Sequence, residues 1–551
     1  MKAKKDKENT LAKEKNSKSF YSYINGKNKV TADIGPLKID NELIEKPEEI
    51  AVEMNNHLAK LYPPVVEVVD SKLPELVRIN PLVDLINIQI TEENITEALK
   101  KIKSNTAPGP DKIGDRLLVK IMKGLTPQLN KIFNKSLQSG VVPDSWKQAN
   151  IKVLFKKGSK YDPKNYRGVS LTSLVGKTLE RIIAKQIMEY CTTYKLVSNS
   201  QHGAIQSKST VSNLVEYLDQ IALHIDQGKT IGVLYTDYSK YFDTIQHESL
   251  LHVLGKRYGI GGCLLNWIKN WLTGRKQRVV HEKFEAPWKP VKSSVVQGSV
   301  LGVCLAILYG DGIDQVTSPA KIYKFVDDNK MAMALDTEED EETFQEIITG
   351  VNNWTEVHNL RLNVGKCSVV KFGKREIARK FEINGVELKI NSSEKDLGIV
   401  IDNQLKFHEE TAKRCKKAMV IVRKQRNSIQ TRCQKIWIRL YKVYMRPILE
   451  YGVPAYLPRY QGDIDKLEKI QNRVTKLVSG IGNMTPEERN RFCHLPSLEQ
   501  RRTRGIAIET FKIINGMPGI NTEILPLVEH QKGTRSNTNG NLKHVKAVTH
   551  S

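Results

Sequence analysis

Apolar positions recur at helical spacing over most of this chain and collapse into short unbroken runs only near its middle. Thr91-Glu-Glu-Asn reads as an N-cap followed by acids in the first turn, and Ile95, Leu99 and Ile102 then share one face until Ala107-Pro-Gly-Pro-Asp111 turns the chain. A second helix is predicted from about Leu117 to Ser139, stopped by Gly140, and is followed by the extended run Ile151 to Phe155. Further on, Leu179, Ile182, Ile183 and Ile187 mark another helical face. The central runs are strand-like: Ile231 to Thr236 ends at Asp237, and Ile322 to Val326 ends at Asp327-Asp328 before Met331 to Leu335 resumes, which predicts a β-hairpin with paired acids at its tip.

Six acids among the seven residues Asp336 to Glu342 open a helix whose Phe344, Ile347, Ile348, Val351 and Trp354 form an apolar stripe, so this cluster reads as solvated surface suited to a helix N-terminus. The last third is helical and basic. Between Thr411 and Arg446 stand twelve Lys or Arg and no acid, while Trp437, Leu440, Tyr441, Tyr444 and Ile448 keep an apolar face. A merely solvated helix would interleave acids at i,i+4, so their absence favours phosphate contact. Residues 1 to about 30 are Lys-rich and poor in apolar positions, and are expected to be a basic tail.

Composition narrows the classes. At 551 residues, with 40% hydrophobic and 27% charged positions, the chain is long enough for several lobes and apolar enough for a real core. Its 86 Lys and Arg against 61 Asp and Glu leave +25, a surplus that calls for a polyanionic partner. The seven scattered cysteines form no close pair, so neither a zinc knuckle nor a disulfide framework is expected, and a reduced intracellular compartment fits. The N-terminus lacks the apolar centre of a signal peptide, and the longest apolar stretch, Val300 to Tyr309, is too short to span a bilayer.

A lone Asp ending one strand and an Asp pair at a hairpin tip meet if the two strands are sheet neighbours. Three carboxylates gathered there would repel one another unless cations neutralise them, and two Mg²⁺ about 3.5–4 Å apart would also clamp a phosphoryl transfer. On the acids alone this is a weak signal, because an Asp pair more often caps a hairpin than binds metal.

The surroundings of those acids strengthen it. Tyr235-Thr-Asp237-Tyr-Ser-Lys-Tyr-Phe242-Asp-Thr-Ile-Gln-His247, Val296-Gln297-Gly298-Ser-Val-Leu-Gly302 and Phe325-Val-Asp327-Asp328 resemble, in order and interval, the palm motifs of reverse transcriptases, and among them those of jockey-like non-LTR retrotransposons. Supporting stretches include Phe155-Lys-Lys-Gly158, Asn165-Tyr-Arg167, Gln201-His-Gly203, Asn363-Val-Gly-Lys-Cys367, Glu394-Lys-Asp-Leu-Gly398 and Leu449-Glu-Tyr451. The resemblance implies an α+β right-hand polymerase, with fingers at 61–230, a palm with an antiparallel sheet at 231–400, and a helical thumb with a C-terminal extension at 401–551, behind a basic tail or linker at 1–60. It implies RNA-directed DNA polymerisation, that is, transfer of a nucleotide from a dNTP to a primer 3′-OH. The implied cofactor is two Mg²⁺, replaceable by Mn²⁺, on Asp237, Asp327 and Asp328. The implied partners are an RNA template, a DNA primer or target and dNTPs, in a ribonucleoprotein of the nucleus or cytoplasm.

Position by position, the resemblance makes Phe242 the steric gate against a ribose 2′-OH, puts Gln297 and Gly298 on the nucleotide and template, and has Lys156 or Lys157 with Arg167 grip the triphosphate. It offers Lys366 as the donor of a proton to the leaving pyrophosphate and places Leu397-Gly398 at the primer grip. The chain departs from the family pattern at Gly168, Ala204, Ile205, Tyr241 and Val296, and Tyr241 is expected to crowd the triphosphate where a small Ala is usual. Those departures support a second reading, a nucleic-acid-binding protein that keeps the fold and basic cleft without polymerising.

Overall fold

The computed structural model describes residues 2–13, 17–28, 34–62 and 76–515. At its centre lies a five-stranded sheet in the order Lys389–Asn391, Ser368–Phe372, Ile231–Thr236, Asp328–Ala334, Lys321–Phe325. All neighbours are antiparallel except the first pair. Ile231–Thr236 is the middle strand and is buried along nearly its whole length, which is why it reads as an unbroken apolar run. The expected hairpin is present: Asp328 pairs with Phe325 across a two-residue turn.

The helix over the sheet, Glu338–Val357, is capped by Thr337 and Asp340 in a reciprocal capping box and buries Phe344, Ile347, Ile348, Val351 and Trp354, the predicted stripe. One acid of the solvated cluster departs from expectation. Glu341 is buried, accepts from Arg375 Nη1 at 2.6 Å and from the Arg379 amide at 2.9 Å, and so pins the loop after Phe372.

A second sheet carries Tyr166–Thr172, Gln148–Phe155 and Lys276–His281, with two short strands at its edge. Around it stand Glu92–Lys100, capped by Thr91 as predicted, and Met122–Ser139, ended by Gly140 in the left-handed region; Ile121 separates the latter from the short helix Asp115–Lys120. The helical third packs His408–Ser428 on Gln461–Thr475 about a separate core containing Trp437, Leu440, Tyr441 and Leu467.

The N-terminal segment differs from the expected tail. Lys2–Lys13 and Ser17–Asn28 are helices, and Leu11, Phe20 and Ile24 are buried in that same C-terminal core. The Glu8 carboxylate accepts from the backbone amides of Gln430 and Thr431, both at 2.9 Å. Pro47–Ala59 is a further helix that packs on the second sheet through Ile50, Met54 and Leu58, where Asn55 bonds to Pro287 O and the Val279 amide. Among the described residues no helix is long and apolar enough to cross a membrane.

Candidate active site

The tip of the acidic hairpin is held by the segment Ser198–Gly203. The buried Gln201 carboxamide oxygen accepts from the amides of Gly203 (2.8 Å) and Val326 (3.0 Å), while His202 N and Lys324 O, and Lys324 N and Ser200 O, bond at 2.9 Å each. Val326 takes φ +61°, strained for a β-branched residue, and needs such support. Gly203 allows it: a Cβ there would stand 2.6 Å from Val326 N. Below, the buried Lys324 ammonium is neutralised by Asp311 at 2.8 Å and Asp314 at 2.6 Å. Gln201-His-Gly203 is thus a brace for the acids, whatever else it does.

Strand register brings the acids together at one edge. Thr236 pairs with Asn329, and Asp237 and Asp328 lie one residue beyond that pair. Asp237 and Asp327 line one cavity of about 480 Å³ with Lys156, Arg167, Phe242, Gln297 and Lys366. Asp328 turns instead into a neighbouring recess that it shares with Asp237, Lys330 and Asp396. Asp327 belongs to the turn and Asp328 opens the next strand, so the two acids line different but adjoining spaces. Asp237 borders both spaces, so the three carboxylates adjoin one another along a single sheet edge.

Electrostatics favour a cation there. Burial pushes the Asp327 carboxyl above the ordinary Asp range, and Asp237 adds to this while Arg167 and Lys156 oppose it. Asp328, though its side chain reaches solvent at the tip, is pushed up to about 6 by lost hydration and then by Asp327, Asp396 and Asp237. Asp237 accepts from Lys366 Nζ at 2.5 Å, so an ammonium already answers part of the negative charge. Mg²⁺ is commonly held by one or two carboxylates together with substrate phosphates. Asp237 and Asp327 on one cavity with phosphate-seeking cations opposite fit that donor set.

The remaining expected residues divide. Arg167 Nε donates to Gln297 Oε1 at 3.1 Å, and the Ser170 amide to Gln297 O at 3.1 Å, which locks the Gln-Gly loop to the finger strand. Gly298, at φ +98°, lies close to Ser170 O behind that loop and does not line the cavity. Lys156 lines it; Lys157 is exposed outside it. Lys366, offered as the proton donor to the leaving pyrophosphate, lines the cavity and sits on Asp237. Phe242 lines the cavity, its ring edge-on to Tyr241 at 5.8 Å.

Tyr241, expected to crowd the triphosphate, borders the cavity but is anchored in the core. Its side chain is buried, and its hydroxyl donates to Ala306 O at 2.8 Å, directly over Gly310, where a Cβ would collide with it. The ring therefore fills core space under the helix Val300–Gly310. Gly168, where the family has Pro, likewise faces Leu58 and Ile151, which a Cβ would crowd.

Sequence reasoning missed one wall. His57 and Leu58 come from the segment taken as tail or linker, Leu61 and Tyr62 follow directly after it, and Asp243, Arg275 and Gln277 complete that side, with Tyr62 donating to Gln277 Oε1 at 2.6 Å. The helical spacing of Ile50, Met54 and Leu58 after Pro47-Glu-Glu was the available signal.

Comparison with known proteins agrees with the motifs. The sequence profile of the family "Reverse transcriptase (RNA-dependent DNA polymerase)" matches residues 155–401. The chain is 26% identical over 413 residues to the RNA-directed DNA polymerase from mobile element jockey of Drosophila melanogaster, covering 71% of this chain and 44% of the relative. It is 25% identical over 416 residues to the probable RNA-directed DNA polymerase from transposon BS of the same fly, with the same two coverages. The chain thus spans 44% of the length of these curated relatives. Among solved structures it is similar to apo telomerase from Candida tropicalis, with a TM-score of 0.36 and 12% identity over 65% of this chain and 63% of that one. Residues 155–401 are thus a domain of the reverse transcriptase (RNA-dependent DNA polymerase) family, set in a chain similar over 71% of its length to the RNA-directed DNA polymerases of jockey-like non-LTR retrotransposons.

Proposed function

We propose that this chain is an RNA-directed DNA polymerase that adds a dNTP to a DNA primer 3′-OH on an RNA template, with Asp237 and Asp327 as its divalent-metal carboxylates. The observation that carries the reading is one cavity shared by Asp237, Asp327, Phe242, Arg167, Lys156 and Gln297, on a domain of this family. Two Mg²⁺ ions, when bound, would supply Lewis-acid activation of the attacking hydroxyl and charge neutralisation at the phosphates. Asp328, one residue beyond the shared cavity, would complete the set from the adjoining recess.

The chain's own residues do the rest. Arg167, held by Gln297, presents a planar fork to the triphosphate, and Lys156 adds a point charge. Phe242 closes the space beside the sugar, excluding water and a 2′-OH. Lys366, bonded to Asp237, keeps a proton at Nζ within the cavity when metal is absent, and is free to turn to a departing anion once that carboxylate is engaged. The exposed basic side of His408–Ser428 tracks the duplex backbone. Fingers at 61–230, palm at 231–400 and thumb from 401 describe these lobes, with residues 2–28 assigned to the thumb and 47–59 to the fingers. The substrates put the protein inside the cell, in a ribonucleoprotein of nucleus or cytoplasm.

The test is Mg²⁺-dependent extension of a DNA primer on an RNA template. Extension by the parent and none by Asp237→Ala or Asp327→Ala is expected; undiminished extension by either variant sinks the assignment. Salt-sensitive RNA binding with no product from the parent at any metal concentration would return weight to a non-catalytic binding protein.

A further inference from the structure

Behind the acidic hairpin, Lys330 is wholly buried, two residues beyond Asp328 and on the same side of the strand. Its ammonium pairs with the buried Asp396 carboxylate and lies 4.3 Å from the centre of the Tyr217 ring. Asp396 belongs to a different element, the hairpin of Ser393–Asp396 and Ile399–Asp402, whose two-residue turn is Leu397-Gly398. Both turn residues take positive φ, +41° and +92°. Burying an ion pair is costly, and an apolar pair of similar volume usually serves stability as well or better. A pair placed here bonds the strand that follows the acidic turn to the residue that precedes the Leu397-Gly398 turn.

The same small hairpin is tied on its other sides. Glu394 Oε2 accepts from Ser368 Oγ at 2.8 Å on the central sheet, and the Val400 amide donates to Glu410 Oε2 at 3.0 Å on the first thumb helix. Tyr451 Oη donates to Leu397 O at 2.8 Å, and Arg414 Nε donates to Glu410 Oε1 at 2.7 Å. The hairpin is therefore a strut between sheet and thumb, and Lys330 is its bond to the strand that carries the acids.

We infer that Lys330 and Asp396 are positioning residues for polymerisation: their buried pair fixes the Leu397-Gly398 turn, and with it the primer terminus, at a set height above Asp327 and Asp328. This rests on the reading of the site as a polymerase centre with its primer grip at Leu397-Gly398. Neither side chain touches substrate. Their effect is on how often the primer hydroxyl is aligned for attack, so it falls on kcat and leaves nucleotide affinity alone.

The experiment compares Lys330→Met, Asp396→Leu and the double variant in the full chain, by single-nucleotide addition and thermal melting. Each single variant strands a buried charge and lowers the melting temperature; the double variant strands none and regains it. If the pair positions the primer, the double variant keeps a kcat reduced roughly tenfold or more with its dNTP KM within about twofold of the parent. If it merely holds the fold, kcat recovers with the melting temperature, and the inference is overturned. Should the parent extend no primer, the polymerase reading fails separately, and amide hydrogen exchange still judges the clamp. Exchange across 396–401 should quicken about tenfold in Lys330→Met while strand 148–155 is unchanged; equal exchange in both proteins rejects it.

Discussion

The Tyr241 hydroxyl reaches Ala306 O across the bare Cα of Gly310, so a residue that the motif places beside the nucleotide is part of the core. Gly310→Ala should therefore destabilise by about 1–3 kcal/mol through overpacking, measured by urea unfolding. Gly310→Ala combined with Tyr241→Phe, which removes the hydroxyl in the way, should recover part of the loss. An effect of Gly310→Ala on dNTP KM without one on stability would mean that Tyr241 is not held in the core.

Phe242 lines the cavity beside Tyr238 and Tyr241 and is the aromatic at the expected gate position. Phe242→Val should leave dNTP incorporation within about threefold and raise the kcat/KM for rNTPs at least about tenfold, since removing a steric block changes a difference in affinities. Competition between dCTP and rCTP in primer extension reads this directly. Unaltered discrimination would remove Phe242 from the gate.

Gly203 should tolerate no side chain, because a Cβ meets the Val326 backbone. Gly203→Ala is expected to displace the hairpin tip and reduce kcat by about a hundredfold, the usual consequence of moving reacting groups by an ångström, with a smaller effect on RNA binding measured in EDTA. Equal loss of both would indicate general unfolding.

His358 lies against Trp354, ring centroids 4.0 Å apart, and burial lowers its pKa to about 4, with Arg257 lowering it further and a bond to Trp354 O opposing. A histidine depressed on folding contributes stability that is complete above its unfolded pKa near 6.5 and is lost as pH falls toward 4. That loss is about 3 kcal/mol for roughly two and a half pKa units. Urea unfolding of the parent at pH 7.5 and 4.5 should show it, and His358→Gln should flatten the profile by about that amount.

On the thumb helix Lys413, Lys416, Lys417 and Lys424 are exposed. Replacing them with Gln should weaken primer–template binding and reduce the slope of log affinity against log salt by about 1 per lysine in contact with phosphate. An unchanged slope would move the duplex off this face.

The sequence made the acids legible because strands that end in Asp, a two-residue turn and a buried central run are local patterns. Which way each acid points was not legible: Asp327 and Asp328 are neighbours in the chain, and only the strained Val326 turn separates them into two adjoining spaces. Lys330 carries no local signal, since its partner Asp396 is 66 residues away. The first sixty residues misled for the opposite reason. Lysines are prominent in the first thirty, and the few apolar residues that matter, Leu11, Phe20, Ile24, Ile50 and Met54, acquire meaning only against surfaces made far downstream.

That arrangement constrains synthesis. Glu8 closes the amides of Gln430 and Thr431 across a separation of more than 420 positions. At ~5–20 residues per second, the opening helices wait on the order of 20 to 80 s for their partners to leave the ribosome. During that interval Phe20 and Ile24 have no burial to return to. A polar substitution at Phe20 or Ile24 would consequently be felt first in the helical lobe built from residues 408–515.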